Sequence, residues 1–169
     1  MSAVLWLAIP AAVVWFGTLL APWLPWSTRE RIEADAAAAP DAQSGEVTVL
    51  IPARNEAEVI GTTLAGVRAQ GPELRAVLVD DQSDDGTAQI AAGFPNVRVV
   101  SGQPLPPGWA GKLWALEQGK AQVTTPLTLL LDADIELKPG MLAALLAHKR
   151  RHGLHFVSLM ADLRRTSFW

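Results

Sequence analysis

The sequence predicts an α/β fold, with a mostly parallel sheet carrying helices on both faces and one apolar helix ahead of it. Three observations carry that expectation. Short apolar runs such as EVTVLIP, LRAVLVD and PLTLLLDAD lack polar alternation and are separated by helix-period segments, as in sheets covered on both sides. Turn formers, Gly71-Pro72 and Pro139-Gly140 among them, punctuate the elements. Half of the 169 residues are apolar and only 18% are charged, enough for one domain with a core plus an appendage.

The appendage comes first. Residues 2–28 contain no charged side chain, and the run AVLWLAIPAAVVWFGTLLAPWLPW fills most of them. A bilayer core takes about 20 mainly apolar helical residues. Pro10 is tolerable in such a span, and Trp6, Trp23 and Trp26 stand where interfacial aromatics would. Arg29 and Arg31 follow at once, so the positive-inside bias puts the remainder in the cytoplasm. A cleaved signal peptide is the competing reading, opposed by the run's length and by the absence of Lys or Arg before it. The expected organisation is a single-pass transmembrane anchor over residues 1–28, a juxtamembrane linker over 29–45 (RERIEADAAAAPDAQSG) and a domain over 46–169.

Within that domain EVTVLIP is the first strand, and EAEVIGTTLAGVRAQ a helix with apolar spacing at Val59, Leu64 and Val67. LRAVLVD is the second strand, TAQIAAG a helix and NVRVVSG the third strand. PLPPGWAGK is an irregular loop into the helix LWALEQGKAQ. PLTLLLDAD makes the fourth strand, LKPGMLAALLAHKRRHG a helix, and HFVSLMADLRR a fifth strand.

Composition removes several functions. A net charge of -3 is not that of a nucleic-acid binder. No cysteine is present, which excludes disulfides, thiolate catalysis and zinc-thiolate sites. His148 and His152 share a helix face, but no Glu adjoins His148, and Lys149, Arg150 and Arg151 surround the pair. A solvated helix end is the expected reading there, with His155 just beyond.

Ligands of such sheets bind outside the carboxyl ends of the strands. Strand one ends in Arg54-Asn55-Glu56, strand two in Asp80-Asp81, and strand four in Asp132-Ala133-Asp134. These acids are expected to converge on one sheet edge, where mutual repulsion calls for a cation. Asp-x-Asp on a strand aims both carboxylates to one side, and two hard oxygen ligands suit Mg²⁺ or Mn²⁺ holding a diphosphate. Asp134 could instead cap the next helix. An aspartate-nucleophile phosphatase would place Thr or Val where Glu136 stands.

VDDQSDDGT does not fit a calcium loop, because Ser83 takes one ligand position and Ala92 stands in place of the bidentate Glu. Asp84 or Asp85 is expected to cap the following helix, while Asp80 and Asp81 could accept from the imide of a uracil. No G-x-G-x-x-G follows the first strand, so a dinucleotide site is disfavoured. Lys112, at a helix start, would strengthen the attraction of its free N–H groups for anions; a snorkelling surface lysine is the alternative.

PARNE, then VDDQSDDGT, then Gly-Lys before an A-L-x-x-G helix, then LLLDAD, occur in the order seen in family 2 glycosyltransferases with the GT-A fold, and the chain resembles that family. PARNEAEVI, PLPPGWAGKLWAL and SLMADLRRTSFW look most like the bacterial membrane-bound hopene- or hopanoid-associated glycosyltransferases, of which the chain matches the front half. The resemblance implies that Pro52, Arg54 and Glu56 line a nucleotide pocket, with Arg54 standing where many relatives have an aromatic. It implies that Asp81, with Asp80, reads uracil, and that Lys112 lies near the nucleotide or diphosphate. Asp132 would hold ribose or metal, and Asp134 would ligate the metal.

The implied reaction is inverting transfer of a sugar from a nucleotide diphosphate donor, expected to be a UDP-sugar, to a membrane lipid acceptor such as a hopanoid, with Mg or Mn as cofactor. Relatives also use a later carboxylate as general base and a Gln-x-x-Arg-Trp-like segment. Here Asp162 is the sole Asp after Asp134, and no such segment occurs. The expected chain is therefore an amino-terminal, donor-binding part without its base. Two alternatives stay open: a catalytically inactive nucleotide-sugar-binding fragment, and a metal-dependent phosphatase or nucleotidyltransferase. The last would need a glycine-rich basic loop after strand one, which PARNEAEVI does not supply.

Overall fold

The computed structural model describes residues 3–20, 31–34 and 44–161. Two compact units divide the chain, Met1–Arg31 and Ile32–Trp169. In the first, helix α1 spans Ala3–Leu19 with Pro10 inside it. Val13, Val14, Trp15 and Phe16 are each 65–70% exposed, so the helix offers apolar surface around its circumference. Its 17 residues would reach about 25 Å at about 1.5 Å per residue, short of a hydrocarbon core of about 30 Å. Among the described residues no helix is long and apolar enough to cross a membrane. Residues 21–28 of the expected anchor, with Trp23 and Trp26, lie outside the described residues, as does most of the 29–45 linker.

In the second unit, strands β1 (Val47–Ala53), β2 (Arg75–Asp80), β3 (Val97–Ser101) and β4 (Leu127–Leu130) form one sheet in the order β3-β2-β1-β4. Every pairing is parallel, and β1 is central, with Leu50 beside Val77 on one side and Leu130 on the other. Side chains of β1 alternate between two cores. Val47, Val49, Ile51 and Ala53 pack with α2 (Ile60–Arg68), α3 (Thr87–Ala92) and α5 (Met141–Arg151). Leu50 joins Val77 and Val79 beneath Ala115 and Leu116 of α4 (Gly111–Lys120). A strand covered on both faces has no solvent side to make polar, which is why β1 is apolar on both faces apart from Thr48, whose hydroxyl accepts from Thr125 Oγ1 at 2.7 Å.

Packing on the α4 face is close. A Cβ on Gly119 would overlap Leu50 and lie 2.7 Å from the Val79 side chain. On the other face, a Cβ on Gly66 of α2 would meet the Leu137 carbonyl oxygen at 2.9 Å. These two glycines set how near their helices can come.

Strands β1 to β3 are laid down in one direction, and the chain then returns past β1 to add β4. The carboxyl ends of β1 and β4 thus flank the switch point at which doubly wound sheets bind ligands.

Three sequence expectations are corrected. The fifth strand does not form over residues 155–161, and Phe156 and Met160 are 78% and 92% exposed there; residues 162–165 of that expected strand lie outside the described residues. A strand needs a neighbour to complete its backbone hydrogen bonds, and this segment has none among the described residues. Helix α2 starts at Ile60 rather than near Glu56, because Asn55 adopts φ 55° and the Val59 and Ile60 N–H groups close a turn on the Glu56 carbonyl. Helix α5 starts only at Met141, after Pro139 and a left-handed Gly140 at φ 80°.

Candidate functional site

The loop after β1 and the acidic loop after β2 are laced together. Asn55 N–H donates to Ser83 Oγ at 2.9 Å, and Asp84 N–H returns a bond to Asn55 Oδ1 at 3.0 Å. Glu56 N–H donates to Thr87 Oγ1 at 2.8 Å, and Ala57 N–H to Asp85 Oδ2 at 2.9 Å. Asp85 Oδ1 accepts from both the hydroxyl and the N–H of Thr87, at 2.6 and 3.0 Å. The Thr87 hydroxyl, and then the Ala57 N–H, stabilise the ionised form and hold the Asp85 carboxyl below its ordinary value of 3.8. Asp85 therefore does more than cap α3: it ties the start of α3 to the chain leaving β1.

That brace leaves other acids facing the sheet edge. Asp80 is only 9% exposed, and its Oδ1 has no hydrogen-bond partner among the described residues. Asp81 N–H donates to the Ala53 carbonyl at 2.8 Å, which fixes the end of β2 beside the end of β1. The Asp81 carboxylate stands 3.6 Å from Arg54 Nη1. The first residues of α4 reach the acids of both strands flanking β1. A Cβ at Gly111 would lie 3.4 Å from Asp81 Oδ2, and Lys112 Nζ is 2.6 Å from Asp132 Oδ1. The amino end of α4, an anion-attracting helix terminus carrying a lysine, thereby lies beside the carboxyl end of β2, with Lys112 reaching across to Asp132.

Beyond β4, in a turn closed by the Ile135 N–H on the Asp132 carbonyl at 3.2 Å, Asp132 and Asp134 are exposed and Ala133 between them is buried. Both carboxylates therefore lie on the solvent side. The peptide between them is pinned, because the buried Thr63 hydroxyl of α2 donates to the Ala133 carbonyl at 2.7 Å. Asp134 has no hydrogen-bond or ion-pair partner among the described residues. Pro52 and Glu56 are half-buried at the end of β1 and in the turn after it, and Arg54 is exposed.

The acids share an edge but not a single point. Among the described residues no three His, Asp or Glu side chains come together as a metal cage. Side-chain pairing divides them: Arg54 takes Asp81, Lys112 takes Asp132, and Asp80 is buried. The donor set still fits Mg²⁺ or Mn²⁺, since such ions are held by one or two carboxylates with phosphate oxygens completing the shell. Asp132 and Asp134 supply that many. His148 of α5 and His152 just past its end face each other tilted, with ring centroids 4.5 Å apart, and form no metal-holding group with an acid among the described residues. A cavity of about 220 Å³ lined by Leu64, Val67, Leu74, Pro95 and Val97 sits at the opposite edge, where β2 and β3 begin.

Sequence reasoning missed the supports. Thr63 sits on the apolar face of α2 among Ile60, Leu64 and Val67, and that misplaced hydroxyl was its one signal. Gln70, 4% exposed, donates to the Gly66 and Lys138 carbonyls at 2.9 and 3.0 Å and accepts from Leu142 N–H at 3.0 Å. It fastens the end of α2 to the chain entering α5. The Lys112–Asp132 pair joins residues far apart in sequence, and nothing local announces it.

Known proteins place this architecture. A curated 4,4'-diaponeurosporenoate glycosyltransferase of Staphylococcus haemolyticus is 32% identical over 92 residues, which is 54% of this chain and 24% of that protein. An uncharacterised glycosyltransferase of Mycobacterium tuberculosis is 36% identical over 101 residues, 60% of this chain and 42% of its own length. The chain thus spans less than half the length of these relatives. Among solved structures, a mannosyltransferase from Pyrobaculum calidifontis in complex with GDP-Man and Mn²⁺ superposes with a TM-score of 0.54 at 26% identity, over 81% of this chain and 41% of its own. The parallel sheet with its helices is accordingly GT-A-like. The profile of the family described as glycosyl transferase family 2 matches residues 48–167, from within β1 through every later strand and helix, and the chain belongs to that family.

Proposed function

We propose that this chain is the donor-binding part of an inverting glycosyltransferase that moves a sugar from a UDP-sugar to a membrane lipid, with a hopanoid as the acceptor class. One observation carries the reading: Lys112 at the amino end of α4 bonds Asp132, and Gly111 beside it leaves no side chain in front of Asp81, so an anion-attracting helix end and the acids that follow β2 and β4 share one sheet edge. Asp80 and Asp81 supply carboxylate oxygens for the N–H edge of the base, the Asp80 Oδ1 being unpartnered among the described residues. Pro52, Arg54 and Glu56 form the β1 wall beside them. Lys112 exchanges Asp132 for the diphosphate. Asp132 and Asp134 hold Mn²⁺ or Mg²⁺, whose charge would offset that developing on the leaving diphosphate.

The relative complexed with GDP-Man and Mn²⁺ supports a nucleotide-sugar and a divalent cation. The diaponeurosporenoate glycosyltransferase supports a lipid-like acceptor, by its name. In the same reading, residues 1–28 anchor the chain as a single pass, supported by the uncharged run over 2–28, and the sheet domain is cytoplasmic. No catalytic base is assigned to this chain; Asp162 lies outside the described residues.

Thermal unfolding with a panel of UDP- and GDP-sugars, each with and without Mn²⁺, tests the donor. A ligand that binds only the folded state raises Tm by mass action. UDP-sugar with Mn²⁺ together should raise it more than either alone and more than a GDP-sugar. Equal shifts for all nucleotides, or release of inorganic phosphate from simple phosphomonoesters, would favour a phosphatase instead.

A further inference from the structure

The loop between β3 and α4 carries a feature that donor binding does not use. Leu105, Trp109 and Leu113 are 52%, 43% and 59% exposed, and residues 103–111 contain no charge. Exposed apolar side chains scattered singly mean little, but these three are concentrated within residues 105–113. This stretch is held in shape. Trp109 packs edge-on against Trp114 with ring centroids 5.3 Å apart. Trp114 Nε1 donates to the Gln103 carbonyl at 3.0 Å, and Gln103 N–H donates to Gln118 Oε1 at 2.6 Å.

We propose that Leu105, Trp109 and Leu113 are a lip that seats the donor-site edge of the domain in the bilayer interface. The chemistry of the stretch suits a membrane surface. Tryptophan favours the headgroup level, where its apolar ring and N–H are both satisfied. Pro104, Pro106 and Pro107 bring no backbone N–H that would have to leave water, which lowers the cost of entering an apolar medium. Position suits it as well, since the lip runs straight into Gly111 and Lys112, the residues at Asp81 and Asp132. Seating it would bring an acceptor that resides in the membrane to the diphosphate end of the donor site. The inference rests on the reading of a membrane-lipid acceptor.

The chain has no cysteine, so single cysteines can be introduced for spin labels. The full chain would carry Leu105→Cys or Leu113→Cys, both at exposed positions, with the exposed Glu73→Cys at the far edge as control. Each would be reconstituted in phosphatidylcholine–phosphatidylglycerol vesicles and its label's collisions with oxygen compared with those of a water-soluble nickel chelate. The expected result is a several-fold preference for oxygen at 105 and 113 and for the chelate at 73. Chelate access at 105 and 113 equal to that at 73 would overturn the lip. Protection from both reagents there would mark a protein contact and would overturn it too. UDP binding measured on the same vesicles keeps the two ideas apart, because its loss with the lip still seated in lipid counts against the donor reading alone.

Discussion

Thr63 is 1% exposed, and its hydroxyl reaches the peptide that carries both acids of the Asp-x-Asp segment. Thr63→Val keeps the shape and strands the Ala133 carbonyl, a loss of about 1–3 kcal/mol by the usual cost of a buried unsatisfied group. Urea unfolding would read that cost, and metal affinity should fall with it, since Asp132 and Asp134 lose their common tether. Asp85 gives a pH-dependent counterpart. Its carboxyl titrates below 3.8 in the folded protein because Thr87 and Ala57 bond the ionised form. A depressed value contributes stability at every pH above the ordinary unfolded value, and the contribution is lost as pH falls through the lower folded value. Asp85→Asn should therefore be less stable than the parent at neutral pH, with the gap closing in acid. A gap that stays constant with pH would show that the brace does not depend on that charge. At Lys112, replacement by Met should weaken UDP binding while leaving the fold intact, since the side chain is 58% exposed; calorimetry against UDP decides it.

Among the elements, Gly66 sits where α2 crosses the chain entering α5, 2.9 Å from a backbone oxygen once a Cβ is added. Backbone cannot swing aside as a side-chain tip can, so Gly66→Ala should destabilise by about 1–3 kcal/mol through overpacking, seen as a lower denaturation midpoint with an unchanged slope. The strands were legible because burial on both faces leaves a plain signature, as in VTVLIPA of β1 and RAVLVD of β2. The Asp-x-Asp segment was not legible in this way: β4 ends at Leu130, and Ala133 and Asp134 lie in a turn closed by the Ile135 N–H on the Asp132 carbonyl, so a period of two does not set their directions. HFVSLMADLRR carries a comparable apolar signature yet forms no strand over 155–161. Composition shows that a segment could pair; it does not supply the neighbour that pairing requires. The brace of Ser83, Asp85 and Thr87 was hidden for another reason. Its bonds run to residues 28 to 31 positions away, and hydroxyls in a turn look the same whether they cap locally or reach across.

At the scale of the molecule, two cores, one under α4 and one under α2, α3 and α5, hold β1 as the spine from which the site projects. The fold brings together from separate stretches the α4 amino end, the acids of β2 and the acids of β4, and that assembly is what the donor reading depends on. Calorimetric titration of the full chain in detergent with UDP, with and without Mn²⁺, tests it most directly, using Asp134→Ala as the companion because Asp134 is exposed and free of partners among the described residues. UDP binding should require Mn²⁺ and disappear in Asp134→Ala while the variant's thermal unfolding is unchanged. Binding that ignores both the metal and the substitution, or no binding by the folded parent chain, would contradict the donor reading.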